Sequence, residues 1–309
     1  MSFTEHVCSP CIYSKSPKPN IGLKMEFKDL QLAAYLNEAG DDPAEAAAIL
    51  KKNGIQYVCL RRAWGRDIFR MTDDACGLVR DILTDNGLKP VLLASTIGDV
   101  LIQNVADQGV DLDKALMICN FLGCPAVQVS LGIAAKSDMN QKYLHRWMRI
   151  VADKCLAANI KPVFEIDYSH CISSPAEIAQ ILQKFGGWSL LYDPAQLIAK
   201  RKVQPFTKYW SLLRDRISHF DIHDYSSGAG PKAPGHGDAQ IDLALNDAVI
   251  SGFKGWYCLE PGMGRRYNDI SGKAAVFEYA LEGLKALFER LDMGSIQPPR
   301  HKKWYRQSR

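Results

Sequence analysis

The chain has 309 residues, 23% charged and 47% hydrophobic, enough for one large or two ordinary globular domains with a sizeable core. Its formal net charge is +4, and Arg300, Lys302, Lys303, Arg306 and Arg309 supply more than all of it, so the body is near neutral and lacks the basic face that grips a duplex. No apolar run approaches the ~18 to 20 residues of a membrane span and no basic-then-apolar export signal opens the chain, which predicts a cytoplasmic protein with neither membrane nor nucleic acid as partner.

Residues 1–19, with three prolines, read as an irregular lead-in. One phrase then repeats: an amphipathic stretch, a Gly or Asn stop, and a short aliphatic run. Strands are expected at Ile21–Phe27, Ile55–Leu60, Leu88–Ala94, Ala126–Leu131, Ile160–Ile166, Trp188–Tyr192, Ile217–Ile222 and Gly255–Glu260. Helices are expected between them at Pro43–Lys52, Asp73–Thr84, Gln141–Ala158, Pro175–Phe185, Ile241–Ile250 and Gly272–Leu291, with Asp42 before Pro43 reading as an N-cap and first turn.

Strands alternating with helices make a parallel sheet, and eight such units fit a closed (β/α)8 TIM barrel better than an open doubly wound sheet. An open nucleotide-binding sheet should carry a glycine-rich turn after its first strand, but Phe27 is followed by Lys28, Asp29 and Leu30. The expected organisation is an α/β chain with a single barrel over 20–292 and a basic tail over 293–309. Nine dispersed cysteines read as reduced thiols, mostly core residues, and the close pair Cys8 and Cys11 lacks companions for a metal site.

Barrel chemistry sits at the C-terminal ends of the strands. Strand five ends in Glu165-Ile166-Asp167, strand six in Asp193-Pro194-Ala195-Gln196, strand seven in His219-Phe220-Asp221-Ile222-His223-Asp224, and strand eight in Glu260-Pro261-Gly262. Side chains alternate along a strand, so His219, Asp221 and His223 share one face, as do Glu165 and Asp167. A single strand-end acid commonly serves as a helix N-cap or rim charge. Four in succession would repel one another unless a cation joined them, and a carboxylate-rich site favours Mn²⁺ or Mg²⁺ over Zn²⁺.

Pro162-Val163-Phe164-Glu165, Tyr192-Asp193-Pro194-Ala195-Gln196, Ile217 to Asp224, Gly235-His236-Gly237-Asp238 and Trp256 to Pro261 together resemble the xylose isomerase-like barrels over about Ile21 to Leu291. That family spans sugar isomerases, ketose 3-epimerases, inosose dehydratases and endonuclease IV. The resemblance implies that Glu165, Asp193 and Glu260 hold one divalent metal. The fourth ligand falls on Asp221, where the family carries histidine, ahead of His219 one step deeper. It further implies that Glu165 and Glu260 are the acid/base pair of a metal-dependent isomerase or epimerase acting on a keto-sugar through an enediolate. A lyase, either a dehydratase or a deglycosidase of a 3-oxo-glycoside, is the alternative, with His223 or His170 as proton donor.

Asp167, Gln196 and His223, one step past the ligand positions, are candidates to grip substrate hydroxyls. Arg61, Arg62, Arg265 and Arg266 are either anion-binding or solvated. Strand ends two and three carry no histidine, which speaks against the three-zinc endonuclease reading. A non-catalytic barrel subunit is a further alternative. The expected partner is a small-molecule sugar or sugar derivative, and the expected assembly a homo-oligomer, with or without a small accessory subunit.

Overall fold

The structure, a computed structural model, describes residues 26–134, 140–167, 170–172, 174–201, 203–264 and 266–291. The lead-in and basic tail read from the sequence lie outside these residues. Eight parallel strands, β1 (Leu32–Tyr35), β2 (Tyr57–Leu60), β3 (Lys89–Leu93), β4 (Ala126–Gln128), β5 (Lys161–Glu165), β6 (Ser189–Tyr192), β7 (Ile217–Ile222) and β8 (Trp256–Leu259), form a closed barrel in chain order, with β8 pairing back onto β1. A helix follows each strand: α1 (Pro43–Lys52), α2 (Asp73–Asn86), α3 (Gly109–Leu122), α4 (Asn140–Ala158), α5 (Pro175–Lys184), α6 (Pro194–Arg201), α7 (Ile241–Ser251) and α8 (Lys273–Arg290). This is a single (β/α)8 TIM barrel.

Local sequence explains the helix starts. Asp42 Oδ1 accepts from the Ala44 and Glu45 amides at 2.9 and 3.1 Å ahead of Pro43, and Ser174 and Glu177 form a reciprocal capping box ahead of Pro175. The first strand is a correction. It lies at Leu32–Tyr35, while Phe27–Asp29 forms a 3₁₀ turn closed by Glu26 and Asp29; residues 21–25 are outside the described set. The alternating run from Ile21 to Phe27 has the pattern of a strand with one wet face. A barrel strand is covered on both faces, and Leu32-Ala33-Ala34-Tyr35, with its last three residues buried, has that character.

Two apolar layers result. Ala33, Tyr35, Cys59, Val91, Val163, Leu191 and Cys258 fill the barrel interior, while a larger set packs strands against helices. Phe220 points into that outer layer, with ring centroids 5.4 Å from Tyr192 and 5.2 Å from Trp210. Because Phe220 is anchored outward, His219 and Asp221 must face inward. Among the described residues seven cysteines are free, six of them buried, and no helix is long and apolar enough to cross a membrane.

Candidate active site

A cavity of about 190 Å³ opens at the C-terminal ends of the strands, lined by Glu165, Asp167, Asp193, Gln196, Asp221 and Glu260 together with Tyr35, Arg61, Ser95, Thr96, Asp99, Gln128, Ser130 and His170. It is smaller than pockets that take drug-sized ligands. The strand-end acids singled out above therefore converge on one place, each from its own strand: Glu165 on β5, Asp193 after β6, Asp221 on β7 and Glu260 after β8.

Each carboxylate is held by a protein donor. Gln128 Nε2 donates to Glu165 Oε2 at 3.1 Å. The Gln196 amide donates to Asp193 Oδ1 at 3.0 Å, so Asp193 caps α6 as well as facing the cavity, and His223 Nδ1 lies 3.3 Å from its Oδ2. The Tyr35 hydroxyl reaches both oxygens of Asp221, at 3.1 and 3.3 Å. Arg61 Nη1 donates to Glu260 Oε1 at 2.5 Å and Nη2 to Glu38 Oε1 at 3.0 Å, while the guanidinium stacks 4.6 Å above the Tyr35 ring.

Crowded, buried acids resist ionisation. Burial, then Asp193 and Glu260, push the Glu165 carboxyl up to about 8. Burial, then Glu260 and Asp193, raise Asp221 well above the usual carboxylate range. His223 moves the other way from what burial alone would give: the Asp193 charge and hydrogen bond outweigh desolvation and lift it to about 9. For Arg61, burial opposes the charge, but Glu260, Tyr35 and Glu38 prevail and hold it above its ordinary value.

The structure separates the two strand-seven candidates. Asp221 lines the cavity, and His219 sits one layer deeper, in register with Trp256 where Asp221 is in register with Cys258. His219 is 2% exposed, its Nδ1 lies 2.8 Å from Ser218 Oγ, and burial lowers its pKa to about 4. Asp167 pairs with Lys200 at the cavity wall. His223 does not line the cavity. Its Nε2 is buried without a hydrogen-bond partner and packs so closely on Gly262 that a Cβ there would lie 2.3 Å away.

The Gly235 to Asp238 segment serves the buried Asp224, which takes amide hydrogen bonds from Tyr225, Gly235, Gly237 and Ala239 at 2.8 to 3.2 Å. A Cβ on Gly237 would fall 2.2 Å from Asp224 Oδ1, so the motif staples the loop after β7, with the Gly235 and Gly237 amides spent on Asp224. Arg265 is outside the described residues. Tyr35 and Gln128 went unmarked in the sequence. A tyrosine ending the true first strand and a glutamine at the inward register of β4 were the available signals.

Donor chemistry fits a hard divalent cation: four carboxylates and no thiolate, with Glu165 and Asp221 pushed above the usual carboxylate range by burial and by their acidic neighbours. Among the described residues, however, no three His, Cys, Asp or Glu side chains are arranged as a ready-made metal-binding group. The protein donors named above, Arg61 foremost, occupy oxygens that an ion would use.

A sequence profile described as xylose isomerase-like TIM barrel matches residues 36–287. No curated protein matches the chain. Among solved structures it is similar to D-allulose 3-epimerase from Methylomonas sp. in complex with D-allulose, at 15% identity and TM-score 0.65, covering 85% of this chain and 97% of that one. It is also similar to a xylose isomerase-like TIM barrel protein from Mycobacterium smegmatis in complex with magnesium, at 15% identity and TM-score 0.62 over 86% and 100% of the two chains. A third is 3-keto-D-glucoside 4-epimerase from E. coli, at 11% identity and TM-score 0.63 over 84% and 98%. At these identities the likeness is one of fold, and together with the profile match over most of its length it places the chain in the xylose isomerase-like TIM barrel family.

Proposed function

We propose that the protein is a divalent-metal-dependent isomerase or epimerase that removes the proton next to the carbonyl of a keto-sugar or sugar derivative. The observation that carries this reading is that Glu165 and Glu260, on strands three apart, bound the same small polar cavity as Asp193 and Asp221. Glu165, a carboxylate facing the cavity with Gln128 on one of its oxygens, is placed to accept and return a proton. The solved epimerases of the same fold, one of them bound to D-allulose and another fold neighbour to magnesium, support the substrate class and the metal. A cytoplasmic homo-oligomer belongs to the same reading.

Glu165, Asp193, Asp221 and Glu260 would hold Mn²⁺ or Mg²⁺, which when bound supplies polarisation of a carbonyl and its neighbouring hydroxyl. Gln128 aims the Glu165 carboxyl. Ser95, Thr96, Ser130, Asp167 and Gln196 offer hydrogen bonds to sugar hydroxyls. Glu165 takes the α-proton to leave an enediolate, and Glu260 returns one from the other side. A lyase is the second reading, favoured by His170, which lines the cavity with its Nε2 3.8 Å from Asp99 and can protonate a leaving oxygen.

Incubating ketoses and 3-keto-glycosides with Mn²⁺-loaded protein in D₂O tests both. The first reading expects one deuterium beside the carbonyl with no loss of water or aglycone, and loss of Mn²⁺ dependence or of exchange in Glu165→Gln counts against or for it respectively. Elimination products support the second reading, and neither exchange nor elimination with any substrate sinks both.

A further inference from the structure

We propose that Arg61 is a built-in counter-ion that an entering divalent metal displaces from Glu260 toward Glu38. The inference rests on the metal reading above and concerns which of this chain's own residues set the affinity for the ion.

Arg61 stands at the end of β2 and clasps two carboxylates that belong to different cavities. Glu260 lines the catalytic cavity, whereas Glu38 lines a neighbouring one of about 310 Å³ with Asn37, Asp41 and Lys273. Arg61 lines both cavities, as does its neighbour Arg62. The Arg61 side chain is 32% exposed, against 14% and 13% for Glu38 and Glu260. Arg61 is thus the more open of the three groups, with the two acids enclosed on either side of it.

Charge makes the two occupancies exclusive. With Nη1 on Glu260 Oε1, Arg61 partly neutralises the acid group and consumes an oxygen that a metal would need. A divalent ion shared by Glu165, Asp193, Asp221 and Glu260 would stand close to a guanidinium, and like charges at that separation repel strongly in a partly buried site. Glu38 offers a way out, because Arg61 already holds it through Nη2 at 3.0 Å and can keep that bond while releasing Glu260. The Tyr35 ring beneath the guanidinium provides a surface along which it slides.

The test is Mn²⁺ titration of wild type, Arg61→Gln, Glu38→Gln and the double variant by calorimetry and electron paramagnetic resonance. Displacement expects Arg61→Gln to tighten binding on the order of tenfold, through removal of a like charge beside the ion. It also expects Glu38→Gln to weaken binding in the wild-type background and to have no effect where Arg61 is gone. Unchanged or weaker binding in Arg61→Gln overturns the proposal, as does an equal effect of Glu38→Gln in both backgrounds, which marks direct long-range attraction of the ion by Glu38. If none of the four proteins binds Mn²⁺, the metal reading falls and takes this inference with it. If wild type binds but Arg61→Gln is no tighter, only this inference falls. Wild-type crystals with Mn²⁺ give a check independent of variant folding: Arg61 leaves Glu260 and stays on Glu38, and an intact Arg61–Glu260 contact beside a bound ion overturns the proposal.

Discussion

The hydroxyl of Tyr35, at the end of β1, donates to both carboxylate oxygens of Asp221 on β7, at 3.1 and 3.3 Å, in the lining of the cavity. Both groups are buried, and burial raises the pKa of each. Tyr35→Phe should cost roughly 1 to 3 kcal/mol, because Asp221 loses its donor without leaving the interior. Pairing it with Asp221→Asn should recover part of the loss. Urea unfolding of the single and double variants checks this, and additive losses would speak against the contact.

His219 predicts acid sensitivity of the metal-free fold. Its folded pKa of about 4 lies below the ordinary histidine value of 6.5, because burial disfavours the charge. The unfolded chain takes up the proton first, so stability is complete above 6.5 and declines as pH falls from 6.5 toward 4. The decline by pH 5 is about 2 kcal/mol. Urea midpoints at pH 7 and pH 5 in chelator should diverge less in His219→Gln than in wild type.

Glu165 gives the opposite slope. Its folded pKa, about 8, exceeds the ordinary 4.5. Metal-free protein should lose stability as pH rises from 4.5 through 8, by a few kcal/mol on the order of 2 to 4. Glu165→Gln should therefore melt higher than wild type at pH 7.5 in chelator while its activity is lost. A lower melting temperature under those conditions would contradict the crowding of acids.

Gly237→Ala should destabilise the protein strongly, on the order of 3 kcal/mol. The added Cβ meets Asp224 Oδ1 at 2.2 Å and the Tyr225 amide nitrogen at 2.7 Å, and opening the turn strips amide donors from a buried carboxylate. Thermal melts of Gly237→Ala beside Gly228→Ala, where the Cβ meets nothing, separate the contact from a general loss of glycine.

Strand seven shows why much of the fold was legible in the sequence. Phe220 and Ile222 alternate with His219 and Asp221, and the alternation fixes which side chains enter the barrel without further information. Strand one was misread because two-sided burial erases alternation, and Leu32-Ala33-Ala34-Tyr35 is too short and too small to stand out beside the alternating Ile21–Phe27 run. With that strand misplaced, Tyr35 went unseen. The acids were readable as strand ends, but their partners were not. That Arg61 faces Glu260, and that His223 turns toward Asp193 and Gly262, depends on barrel closure bringing residues about 200 and 30 positions apart into contact.

The central claim is that four carboxylates on β5 to β8 share a divalent cation. Anomalous diffraction from crystals grown with Mn²⁺ measures this directly. The account predicts one strong peak in contact with Glu165, Asp193, Asp221 and Glu260, absent in Glu165→Gln. No peak within the cavity, or a peak bound only elsewhere on the barrel, would contradict it.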